Sequence, residues 1–253
     1  MSRALHAEWT KLRTEPAARW LLPGIVLATV LTSLLAVTAA SCRGGGGCGF
    51  DPAVLSLTGV QLGQAVVVLL AVLAIGGEQG AGLLRTTFTA VPRRLVVLAA
   101  KAVLIGGLTL AAGTVAVVGC VIAGRAVLPG NGIVVPPAGD GPSLRAAAGS
   151  VLYLVLVGLL ALGVTAAIRD SAVSAGAVFA LLYAVPLVAA VIGDVELQRA
   201  LRRFAPMTAG LAVQATTGRD ELPISPWAGL GVLAAWSAAA LLLGGFLLHR
   251  REA

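Results

Sequence analysis

Where this chain puts its charges limits its fold more than any other feature. Six stretches carry none: Trp20 to Cys42, Pro52 to Gly77, Ala102 to Gly124, Ala146 to Ile168, Ser171 to Gly193 and Leu222 to Leu248. Each exceeds the roughly 20 residues that an α-helix needs to cross the hydrocarbon of a bilayer. Only 11% of the 253 residues are charged and 58% are hydrophobic, against roughly 25% charged in a soluble domain. The expectation is an all-α membrane protein, one domain over residues 1–253. Its six transmembrane helices lie near 20–41, 53–76, 98–123, 146–168, 171–192 and 226–248. The first run is too long for the roughly 7–15-residue apolar core of a cleaved signal.

An even number of spans leaves both termini on one side. With the N-terminus in the cytoplasm, the inner segments carry Arg3, Lys11, Arg13, Arg19, Arg85, Arg93, Arg94, Lys101, Arg169, Arg250 and Arg251. The outer ones carry Arg43, Arg125, Arg145, Arg199, Arg202, Arg203 and Arg219. The bias favours termini inside, and the early segments, which dominate orientation, hold most of it. A net charge of +7 therefore reads as loops meeting lipid headgroups of the plasma membrane. No nucleic-acid partner is expected, because there is no basic domain and aromatic residues make up 4% of the chain.

Between the spans, the N-terminal stretch RALHAEWTKLRTEPAAR at 3–19 places Leu5, Trp9 and Leu12 on one helical face, with Glu8, Lys11 and Arg13 on the rest. That pattern predicts a helix lying in the membrane interface. The loop GEQGAGLLRTTFTAVPRR at 77–94 can form a short surface helix, with Arg85 able to reach back to Glu78. In the first outer loop Cys42 and Cys48 flank a glycine run, and either a small disulfide or two thiols fits the sequence. No metal site is expected. Cys120 reads as packing.

Within the spans, Gln61 and Gln64 share one face of the second helix and are candidates for a pathway or an interface. Gly59 and Gly63 permit close helix contact. Pro186 predicts a kink in the fifth span.

Gradient-driven carriers usually place an Asp, Glu, His or Lys inside the bundle, and the six uncharged runs hold none. The sequence also lacks GxxxxGK[ST], HExxH and GxSxG. The chain is thus expected not to be an enzyme and to hold no cofactor of its own. A bundle with neither engine nor chemistry is passive, structural, or driven by another subunit.

Several stretches, in register along the chain, carry a resemblance. EWTKLRT at 8–14, EQGAGLLRTT at 78–87 followed by AVPRRLVVLAAK, and RRFAPMTAG at 202–210 resemble the membrane subunits of type-2 ATP-binding-cassette transporters, those of actinobacteria especially. Gln79 stands where that family often has an aromatic residue.

The resemblance implies an elbow helix bearing Glu8, Trp9, Lys11 and Arg13. It implies a coupling helix, with Glu78, Gly82, Leu84, Arg85, Thr86 and Thr87, that seats in a cytoplasmic ATPase carrying the ATP and Mg. It further implies a re-entrant outer segment before the last span, and a dimer of permeases, either two copies of this chain or a heterodimer with a similar one. The expected function is export through an ABC permease. A hydrophobic drug, an antimicrobial peptide and a lipid-like molecule all suit its apolar wall. The alternatives are a membrane scaffold or immunity protein and, third, a gradient-driven carrier.

Overall fold

The computed structural model describes residues 9–10, 16–40, 49–80, 94–137, 139–218 and 222–250, and every regular element among them is helical. Five helices are long and apolar enough to cross a bilayer. They are α1 (Pro16–Ala39), α4 (Arg94–Val127), α5 (Gly141–Ile168), α6 (Ser171–Val191) and α9 (Pro226–Arg250). The second apolar run is split. Asp51 accepts the amide hydrogens of Ala53 and Val54, at 3.0 and 3.4 Å, and with Pro52 at the first position it starts the short helix α2 (Pro52–Ser56). A turn over 57–59 separates α2 from α3 (Val60–Gly80), whose apolar part is Val60–Gly76.

α5 is the central element. About 61% of its most apolar window is buried, against 22% for α1 and α6 and 28% for α9, so its neighbours close around it. It packs on α3, α4, α6 and α9, and α1 packs on α3 and α4. Tyr153, Leu154, Val157 and Leu160 form its fully buried face. Close approach to α9 depends on glycine, since a Cβ on Gly163 would stand 2.5 Å from the Ala240 carbonyl carbon. Leu27, Leu31 and Leu35 of α1 and Leu242 and Phe246 of α9 stay exposed, as the hydrocarbon-facing side of a membrane helix requires.

The connections are tightly built. α5 ends on Arg169, the one non-glycine residue at positive φ (66°) among those described, and Asp170 at once caps α6 by accepting the Val173 amide at 2.8 Å. In α6 the expected proline kink takes a specific form. A π-helical turn over Ala180–Ala184 precedes Pro186, and its extra residue keeps the proline ring clear of the preceding turn, where an α-helix would clash.

Between α6 and α9 the chain folds back into the bundle. Asp194 caps α7 (Val195–Phe204) by accepting the Glu196 and Leu197 amides at 2.9 and 3.2 Å. Pro206 then opens α8 (Pro206–Leu211), in which Pro206, Met207, Ala209 and Gly210 are buried against α5 and α9.

Candidate functional site

The polar side chains inside the bundle gather where α3, α5, α6 and α8 meet. This arrangement begins with α1 and α3, whose backbones touch. A Cβ on Gly59 would lie 1.9 Å from the Thr29 carbonyl oxygen, and one on Gly63 would lie 2.0 Å from Thr29 Oγ1. The Gly59 amide donates to Ser33 Oγ at 3.0 Å. The two glycines thus serve a contact within the chain, and they fix the rotation of α3.

That rotation turns Gln64 inward and Gln61 outward. Gln64 is fully buried; its Oε1 accepts the Tyr153 hydroxyl, and its Nε2 donates to Met207 Sδ at 3.5 Å. One amide therefore joins α3, α5 and the short helix α8. An unpaired amide in hydrocarbon costs several kcal/mol, so each contact answers a need. Tyr183 of α6 donates its hydroxyl to the Gln61 backbone carbonyl, while the Gln61 residue is exposed beside Leu62. Nearby, Gln214 Nε2 donates to Ser150 Oγ at 3.0 Å, and the Ser237 hydroxyl donates to the Leu156 carbonyl at 2.8 Å. These buried amides and hydroxyls are paired with neighbouring groups, so they hold the helices together. Among the described residues no three His, Cys, Asp or Glu side chains stand together as metal ligands.

A second polar knot joins distant segments. Asp51 accepts the Thr216 hydroxyl at 2.7 Å and the Thr216 and Thr217 amides, the latter at 2.8 Å. Burial acts to raise the Asp51 pKa, but the Thr216 hydroxyl and the Thr217, Thr216 and Val54 amides outweigh it and hold the carboxyl below its ordinary value. This carboxylate caps α2 and ties it to the strand of chain that leads into α9.

Lys101, counted with the cytoplasmic loop in the sequence, lies within α4. It is buried, and its Nζ donates to the Ala74 carbonyl of α3 at 2.9 Å. Two residues on, Gly76 meets Ser171, which opens α6, so Lys101 stands near one end of the bundle.

Of the coupling residues expected from the sequence, Glu78 falls in the helical backbone of α3, and Gly82, Leu84, Arg85, Thr86 and Thr87 lie outside the described residues. The same holds for Glu8, Lys11, Arg13, Cys42 and Cys48, whereas Trp9 is helical and 45% exposed. Gly59 and Gly63 lie against α1, Gln64 is buried in the bundle, and Gln61, expected on the same face as Gln64, is exposed instead. Asp51 with Thr216, and Tyr183 with Gln61, were not found from sequence; the Asp-Pro pair signalled the cap but not its distant partner. No family model and no curated protein matches the chain.

Proposed function

We propose that the chain is the permease subunit of an ATP-driven exporter, forming the membrane pathway and taking its energy from a separate cytoplasmic ATPase. In this reading α2 and α3 together make a sixth span, the N-terminal segment is an elbow helix, and both termini are cytoplasmic. Two permease chains, most simply two copies of this one, enclose the pathway.

The observation that carries the reading is the pair of short helices, α7 and α8, between α6 and α9, with α8 buried against α5 and α9. Gln64 reaches Met207 there, and a Cβ on Gly210 would stand 2.6 Å from the Tyr153 ring. This element coincides with the RRFAPMTAG stretch on which the resemblance to type-2 ABC permeases partly rests.

The test is co-purification with the cognate ATPase. Wild-type permease retains an ATP-hydrolysing partner in stoichiometric amount, and Glu78→Lys and Arg85→Glu lose it while the permease stays folded. Full retention by both variants would remove the coupling site from residues 78–87. Absence of any ATPase partner from wild-type membranes would favour the scaffold.

A further inference from the structure

A cavity of about 220 Å³ lies beside the Asp51 cap, between α2, α4, α5 and the connection at 128–140. Its walls are mostly apolar, with Ala53, Leu57, Val121, Val135, Leu144 and Ala147 among them. Helical spacing agrees with this placement. Val121 and Arg125 of α4 stand one turn apart on one face, as do Ser143 and Ala147 of α5, and all four line the cavity.

The walls are anchored by contacts of their own. Asn131 Nδ2 donates to the Val37 carbonyl at 2.8 Å, and Leu128 and Ile133 are buried with Val37, which fastens the connection to α1. A Cβ on Gly124 would lie 2.1 Å from Ser56 Oγ, so α2 and α4 meet closely here.

Arg125 is the one charged side chain among the described lining residues. Its Nη2 donates to the Pro136 carbonyl at 3.0 Å, and Pro136 lines the same cavity, so the guanidinium spans the wall from α4 to the connection. That bond takes one of the five N–H donors of an arginine. Arg125 makes no other hydrogen bond and no ion pair among the described residues. The ionisable neighbours serve elsewhere. Asp51 holds Thr216 and Thr217, Arg145 donates to the Ala215 carbonyl at 2.5 Å, and neither Arg145 nor Asp140 lines the cavity.

Size and charge together select an occupant. A dry cavity of about 150 Å³ holds benzene and drug-sized pockets begin near 300 Å³, so roughly eight to twelve non-hydrogen atoms fit here. A guanidinium with unused donors beside apolar walls is matched by a carboxylate, whose two oxygens fit its planar fork. We infer that this cavity binds a short-chain amphiphilic carboxylate, its aliphatic tail against Val121, Leu144 and Ala147 and its two oxygens on the remaining N–H groups of Arg125. An amine of the same length meets like charge, an alcohol offers one weaker acceptor, and a two-chain phospholipid exceeds the volume.

The inference needs no partner and no transport, so it stands or falls apart from the ATPase reading. The experiment titrates the full chain in phosphatidylcholine nanodiscs with octanoate, octanol and octylamine at neutral pH by calorimetry, with empty nanodiscs as the partition control. Octanoate is expected to saturate at one per chain and to bind at least roughly tenfold more tightly than octanol, the scale of a charge-assisted pair of hydrogen bonds. Octylamine shows partition alone. Arg125→Gln brings octanoate down to the level of octanol and leaves octanol binding unchanged, which shows the cavity still formed. Arg125→Lys keeps the charge without the fork and retains part of the preference. Ala147→Phe, which fills the cavity, removes both ligands. A guanidinium that is only a strut to Pro136 would give equal affinities for octanoate and octanol, or a preference that survives Arg125→Gln, and either result overturns the site. So does octanoate uptake no greater than in empty nanodiscs. A phospholipid retained through purification by the wild type but not by Arg125→Gln, and not displaced by octanoate, would assign the arginine to a lipid headgroup and overturn it as well.

Discussion

Asp51 shows how much a single carboxylate does in a chain so poor in charge. It caps one helix and fastens a segment 165 positions away, through five hydrogen bonds to Ala53, Val54, Thr216 and Thr217. Because those bonds favour the ionised form, its folded pKa lies below the unfolded one. The stability it supplies is fully present above the unfolded value, about 3.9, and is lost as pH falls through the folded value. Thermal unfolding in neutral detergent should therefore show a wild-type midpoint that drops in acid. Asp51→Asn should lie lower at neutral pH, by roughly 1–3 kcal/mol for charge-assisted bonds, and should follow a flatter acid limb. Identical acid limbs would assign the pH dependence to another group. The cap has a local signal, Asp before Pro at a helix start, that the reading of one unbroken span over 53–76 passed over. The sequence was silent on Thr216, since nothing local encodes a contact across 165 positions.

At the level of elements, the spans were legible because excluding charge is a one-dimensional property. Departures from that pattern arise from contacts between helices, which one sequence does not display. Gly59 was expected to permit close helix contact, but not against which partner; its closeness to Thr29 and its bond to Ser33 accompany the break between α2 and α3. The π-turn before Pro186 and the burial of Lys101 against α3 were likewise invisible, as both depend on helix rotation. The α7–α8 pair is the most testable element. A Cβ on Gly229 would fall 2.0 Å from the Ala209 carbonyl oxygen, so α8 and α9 meet backbone to backbone. On Gly231, two residues along the same helix, a Cβ meets nothing within 4 Å. Gly229→Val is expected to cost roughly 1–3 kcal/mol by overpacking, to expose residues 192–225 to limited proteolysis, and to red-shift Trp236 emission. Gly231→Val should do none of these. Equal behaviour of the two variants would show that α8 is not seated against α9.

For the whole molecule the question is where work enters. The buried polar groups described inside the helices are threonines, serines, two glutamines, a tyrosine and one ammonium, that of Lys101. An amide or an aliphatic hydroxyl cannot cycle a proton at physiological pH, so a proton-driven device built here would have to run through Lys101. Its geometry argues for a different role: the amine sits near the end of the bundle and donates to the Ala74 carbonyl, pinning α4 to α3 just where α3 leads toward residues 78–87. A pin at that position would help pass motion of the loop into the helices, as a lever needs a stiff attachment. Two behaviours then separate the readings. Reconstituted alone, the chain should accumulate no solute under an imposed pH gradient or membrane voltage. If the proposed permease reading holds, Lys101→Met assayed with a partner ATPase should lower transport per ATP hydrolysed, through a looser α3–α4 joint, while transport remains insensitive to uncouplers. Uphill movement by the isolated chain, abolished by Lys101→Met, would instead make that ammonium the proton carrier and the protein a secondary transporter.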